Sequence, residues 1–187
     1  MHERLNDLGI ENSMSRTNDE SLSPEVRPSR VQSFYGPGSD VIVVSNHINA
    51  GGGDGAEVIY SLRNSDRLSS LISDNLSKAG QNVRKYYQRR LPSNPDLDYY
   101  YILRETPNNE TIIVEYGFAD STGDDVSQLK NNWEDLAEAV VKSLATYIGV
   151  NYVPVTGASD YIVKSGDRVF MGNNEYYKKI MKKYKAF

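Results

Sequence analysis

Two residues of this sequence stand where layered α/β proteins carry out chemistry. His47 directly follows the run Asp40 to Ser45 (DVIVVS) and precedes the glycine-rich stretch Asn49 to Gly55 (NAGGGDG). A histidine at the carboxyl end of a buried strand is placed to offer a neutral ring nitrogen to a metal. The ordinary alternative is a histidine that caps or hydrogen-bonds a turn. Glu115 lies near the end of a second apolar run, Thr111 to Phe118 (TIIVEYGF). A carboxyl group in that setting loses water, and its pKa rises toward the range useful to a general acid or base. The same periodicity also allows an edge carboxylate facing solvent between Val114 and Tyr116. One strand-end histidine and one strand-end glutamate suggest metal-assisted hydrolysis without establishing it.

The elements that must position this pair follow from hydrophobic patterning. DVIVVS reads as a buried strand, with four consecutive β-branched residues, and Ala56 to Leu62 (AEVIYSL) as a second. Tyr99 to Leu103 and Thr111 to Tyr116 read as the next two strands. Asn64 to Ala79 places Leu68, Leu71, Ile72 and Leu76 on one helical face, and Gly80 closes it. Asn132 to Ile148 is the strongest helix, its apolar stripe running from Trp133 to Ile148 without a gap. Leu5 and Leu8 before Gly9 read as the last turns of a helix, and Ile10 to Arg16 as a short strand. A helix is expected to start at Ser23 with Pro24 in its first position, and Pro28 to limit it. Lys85 to Asp98, with Pro92 and Pro95, reads as irregular. Strands alternating with amphipathic helices predict an α/β domain over residues 1–150: a twisted mixed sheet flanked by helices. Residues 151–187 read as a linker and a lysine-rich tail.

Composition narrows the chemistry. With 187 residues, 39% hydrophobic and 25% charged, the chain is an ordinary globular length and mixture. The absence of cysteine excludes disulfides, thiolate metal sites and cysteine nucleophiles. A net charge of -4 gives no electrostatic case for nucleic acid as a partner. No apolar run approaches a membrane span, and the opening MHERLNDLGIENS has no apolar core of a signal peptide. GGGDG lacks the GK[ST] of a phosphate loop and precedes a strand, not a helix. Tyr86, Tyr87, Tyr99, Tyr100 and Tyr101, beside Arg84, Arg89 and Arg90, could stack on sugars or meet an anionic wall polymer. Alternating strand positions explain most of them without function.

Four stretches in order bring a family into view. VVSNHINAGGGDGAEVIY resembles the second zinc-histidine motif of the third family of N-acetylmuramoyl-L-alanine amidases, and TIIVEYGFADSTGDDVSQL resembles its glutamate motif. LNDLGIENSMSRTNDESLS and NWEDLAEAVVKSLATYIGV resemble the family's connecting stretch and closing helix. The resemblance covers residues 1 to about 150. It implies a zinc-dependent peptidoglycan hydrolase, cutting the amide between N-acetylmuramic acid and L-alanine, extracellular or in the cell wall, monomeric and without a membrane span. His47 falls on the second zinc histidine, and Glu115 on the glutamate that handles the proton of the attacking water. The family's first histidine and its zinc-binding glutamate precede the LNDLGI stretch. The expectation is therefore that this chain lacks both, together with the family's first strand. His2 is out of register with the missing motif. Ala119, Asp120 and Ser121 stand where members tend to have an asparagine. In the tail, DYIVKSGD resembles the opening of a LysM glycan-binding module, truncated. Two other readings stay open: a non-catalytic cell-wall-binding remnant of such an amidase, and an unrelated α/β hydrolase in which Glu115 works beside another acid.

Overall fold

The computed structural model describes residues 1–154. Helix α1 spans His2–Asp7 and α2 spans Val26–Tyr35; strands β1 (Ile42–Asn49) and β2 (Ala56–Tyr60) follow. Next come α3 (Arg67–Lys78), β3 (Val83–Tyr87), the two short strands β4 (Arg90–Leu91) and β5 (Asn94–Asp98), and α4 (Tyr101–Arg104). Strand β6 (Glu110–Phe118), α5 (Asp125–Asn131) and α6 (Trp133–Ile148) complete the order. Four strands form one mixed sheet in the order β1-β6-β2-β3. β1 runs parallel to β6, β2 parallel to β3, and β2 antiparallel to β6. No helix among the described residues is long and apolar enough to cross a membrane.

Alternation along the strands divides the sheet into two faces. Val58, Ile112 and Val114 project to one face, where Leu68, Ile72 and Leu76 of α3 meet Leu136, Val140, Val141 and Leu144 of α6. The three α3 side chains recur every four residues and are fully buried, which is why that helix lies flat on the sheet. Each contributes about 1.5–3 kcal/mol of transfer free energy. Asn75 of α3 donates to Ser143 Oγ of α6 at 2.9 Å, and that hydroxyl reaches the Leu71 carbonyl of α3 at 3.1 Å, so these polar groups between the two helices are satisfied. Ile59 and Ile113 project to the other face and pack on Leu103. That second covering ends before the carboxyl end of β1, where Asn46, His47 and Ile48 are exposed, and Glu115 of β6 is only partly buried.

Several expectations are corrected here. Residues 99–103 do not form a strand; Tyr101–Arg104 is a single helical turn. It forms because Leu103 must reach Ile59 and Ile113, while Arg104 Nη1 binds the carbonyls of Asp98 and Tyr99 and folds the chain back. Residues 85–98 are not irregular, since they hold the end of β3 (Val83–Tyr87) and the β4–β5 pair. Pro28 does not end α2: it is the third residue of that helix, where its missing N–H has no intrahelical partner to lose. The helix starts at Val26, whose N–H reaches Ser23 O. Residues 10–16 are not a strand, because no neighbouring strand meets them. They instead line a groove of about 1080 Å³ whose other wall is residues 42–47 along the outer edge of β1. Among the described residues, that edge has no strand partner. The LysM-like stretch lies outside the described residues.

Candidate active site

The pairing of β1 with β6 sets His47 directly beside Glu115, near the carboxyl ends of two parallel strands. The antiparallel pairing of β6 with β2 sets Glu57 on the other flank of Glu115. Directly paired residues share a face, so His47, Glu115 and Glu57 form one row across three strands. This is the face opposite α3 and α6. Two members of the row were read from sequence. Glu57 was not, although a carboxylate inside the apolar run AEVIY carries the same signal that marked Glu115.

Each member meets a different environment. His47 is solvent-reachable, yet neighbouring chain removes enough water to push its imidazole below the ordinary 6.5, helped by the charge of Arg27. Its ring is therefore neutral at pH 7, with a lone pair available. Glu115 is pushed above its ordinary value, chiefly by desolvation and secondarily by the adjacent Glu57 charge. Its Oε2 is buried and has no hydrogen-bond partner. A buried polar atom without a partner costs stability unless something else is meant to meet it. Glu57 is only 5% exposed and fully engaged: Tyr87 donates its hydroxyl at 3.1 Å, and Arg84 Nε and Lys85 Nζ lie at 3.4 and 4.0 Å.

Two loops frame the row. The β1–β2 loop is tied to the β6–α5 loop because Asp120 accepts the backbone N–H groups of Gly51 and Gly52. Those bonds hold the Asp120 carboxyl below its usual range. Ser121 donates to Asp54 across the same gap. Deeper in, Asp125 accepts the N–H of Gly55 and of Phe118, each at 2.7 Å, and Gln81 Nε2 at 2.9 Å. Gly117 has φ 156° and lies so close that a Cβ there would stand 2.8 Å from Asp125 Cγ. Glycine after Tyr116 is thus required by the approach of Asp125, and Asp120 and Ser121 acquire a role as loop ties.

The family model described as N-acetylmuramoyl-L-alanine amidase matches residues 1–146. The chain belongs to that family. Its fold is shared by solved amidase structures. The catalytic domain of CwlV from Bacillus (Paenibacillus) polymyxa var. colistinus gives a TM-score of 0.65 at 17% identity, covering 80% of this chain and 79% of that one. The amidase AmiC2 of Nostoc punctiforme gives 0.63 at 18% identity, covering 78% and 76%. Cwp6 from Clostridium difficile gives 0.65 at 22% identity, covering 80% of this chain and 23% of that chain, so the present chain spans about a quarter of that protein. A search of curated protein sequences gives no match.

Members of this amidase family act on peptidoglycan, and the resemblance implies zinc. Of the residues present, His47 fits as a ligand, being neutral and solvent-reachable. A catalytic zinc takes three protein ligands, and the described residues do not gather such a set around His47. His2 lines the same groove, but its ring nitrogens face Asn12 and Asn6 at 2.6 and 3.4 Å. Among the described residues, the one group of three acidic or histidine side chains close enough to hold an ion is Asp54, Asp124 and Asp125. The oxygens of Asp125 there are already taken by Gly55, Phe118 and Gln81, so we read that group as structural.

Proposed function

We propose that the His47–Glu115 row is the hydrolytic centre for the amide joining N-acetylmuramic acid to L-alanine. Glu115 supports this reading most strongly: it is a half-buried carboxyl with a raised pKa and a partnerless Oε2, held beside a neutral histidine. In hydrolysis Glu115 takes a proton from the attacking water as its oxygen adds to the carbonyl carbon. It returns that proton to the amine of L-alanine as the C–N bond breaks. A pKa raised toward neutrality serves both halves of that cycle, since the group must release as readily as it accepts. Glu57, fixed by Tyr87, Arg84 and Lys85, lends a negative charge beside Glu115 and favours its protonated form. His47 would hold zinc, which when bound supplies Lewis-acid polarisation and a more acidic water. The surroundings implied are the cell wall outside the cell, with peptidoglycan as the partner and a monomer as the working form.

A second reading is favoured by the single fitting ligand: a cell-wall-binding module of this family without turnover. Zinc content and release of new L-alanyl amino termini from purified peptidoglycan separate the two. Under the hydrolytic reading, Glu115→Gln leaves zinc unchanged and lowers release by about 10² or more, whereas His47→Ala lowers both. Near-normal release by Glu115→Gln would overturn the role given to this carboxyl. Peptidoglycan binding with no release at saturating zinc would establish the second reading.

A further inference from the structure

The edge strand β3 carries a β-bulge whose purpose the hydrolytic row alone does not explain. Ala56 pairs with Val83, but Glu57 pairs with Lys85, so Arg84 is the extra residue. A bulge re-aims a side chain that regular alternation would send to the opposite face. Here it lets Arg84 and Lys85 both lean on Glu57, at 3.4 and 4.0 Å. The Arg84 guanidinium lies over the Phe118 ring, 5.1 Å from its centroid, three residues beyond Glu115 on β6. Gly53 of the β1–β2 loop closes over the same spot: a Cβ on it would overlap both the Phe118 ring and Arg84 Nη1. Arg84 is therefore held on three sides, by an ion pair at Nε, an aromatic face and a glycine backbone.

What Arg84 lacks is an acceptor for its fork. Among the described residues its contacts are the Glu57 ion pair and the Phe118 ring, and it makes no hydrogen bond. Its side chain remains 41% exposed. Two cations share the one Glu57 carboxylate. A planar guanidinium pre-oriented this way matches a carboxylate in bidentate fashion better than an ammonium does.

We propose that Arg84 binds a carboxylate of the stem peptide beyond the scissile amide, and so makes this site prefer peptides carrying a free acid there over their amidated forms. The inference rests on the amidase reading above, since that reading puts the peptide across the row. The test uses the full chain and two soluble compounds, both with the γ-carboxyl of the glutamate blocked as its methylamide: N-acetylmuramoyl-L-alanyl-D-glutamate with its α-carboxylate free, and the same compound as the α-carboxamide. Calorimetric titration should show the acid binding at least tenfold more tightly than the amide. Arg84→Gln should bring the two affinities together by weakening the acid's, and Arg84→Lys should keep only part of the preference. Thermal melting of each variant confirms that the exposed substitution leaves the fold intact. Equal affinities in the natural chain, a preference retained in Arg84→Gln, or equal weakening of both compounds would overturn the assignment while the amidase reading stands. Binding of neither compound would remove the amidase reading and this inference with it.

Discussion

Asp125→Ala should be among the most damaging single substitutions near the site, although the residue touches neither His47 nor Glu115. Asp125 is fully buried and accepts three hydrogen bonds: from the Gly55 and Phe118 amides and from Gln81 Nε2. Alanine leaves the two amides without an acceptor, while Gln81 Nε2 keeps only the Tyr116 carbonyl. An orphaned buried donor costs about 1–3 kcal/mol, so the two backbone amides alone put the loss at about 2–6 kcal/mol. That is a large share of the about 5–15 kcal/mol typical of a folded domain. Asp125→Asn separates hydrogen bonding from shape. Its single carbonyl oxygen can still serve the two amides, but its NH₂ then faces Gln81 Nε2, which already donates to Tyr116 O at 2.5 Å. We expect a loss for asparagine of about 1–2 kcal/mol, near that of one hydrogen bond. Urea unfolding followed by far-UV circular dichroism measures both, with the slope against denaturant checking that the unfolded state is unchanged. A loss under about 1 kcal/mol for Asp125→Ala at unchanged slope would refute the reasoning, because water would have to be reaching the amides.

Three further outcomes follow from the same geometry. Because the folded pKa of Glu115 is raised, the folded chain holds its proton more tightly, and stability falls as pH climbs through and above the ordinary carboxylate range. Glu115→Gln should therefore gain stability over the natural chain at pH 7 and lose that advantage in acid, and an advantage independent of pH would contradict the assignment. His47 has the opposite sign: its folded pKa is lowered, so its contribution is present above 6.5 and lost as pH falls, and His47→Gln should flatten that part of the unfolding profile. Gly117→Ala must place a Cβ 2.8 Å from Asp125 Cγ at a φ of 156°, and thermal melting should report a loss of about 1–3 kcal/mol.

How much of this was legible in the sequence depended on which face of an element was buried. TIIVEY announced β6 because both of its sides are largely covered, and DVIVVS announced β1 by the same unbroken run of β-branched residues, although β1 is an edge strand with only Val43 buried. α3 and α6 were equally plain, since each buries one clean stripe on the sheet. β3 was hidden because it is an edge strand whose central residues Arg84, Lys85 and Tyr86 are exposed, which leaves no apolar alternation to read. Tyr99 to Leu103 has the aromatic content of a strand, but Leu103 packs between Ile59 and Ile113 and a turn of helix brings it there; packing overrode propensity. His47 and Glu115 were legible as candidates because each stands near the end of an apolar strand. Glu57 was passed over because its meaning comes from register, from standing beside Glu115 across two strands distant in sequence. The Asp125 anchor was equally out of reach, since its acceptors' partners lie on three different segments.

The strand order β1-β6-β2-β3 also fixes when in the life of the chain the row can exist. β1 and β2 are neighbours in sequence, joined by the short loop at 50–55, yet they never pair with each other: β6 stands between them. During synthesis β1 and β2 emerge first, with a gap of about two strand spacings, roughly 10 Å, to be kept open for a partner that arrives later. Insertion of β6 makes the long-range pairings with β1 and β2, and it brings Glu115 between His47 and Glu57 in a single event. A chain stalled before residue 110 lacks β6 and with it Glu115, so the row of His47, Glu115 and Glu57 cannot be assembled before that strand is made.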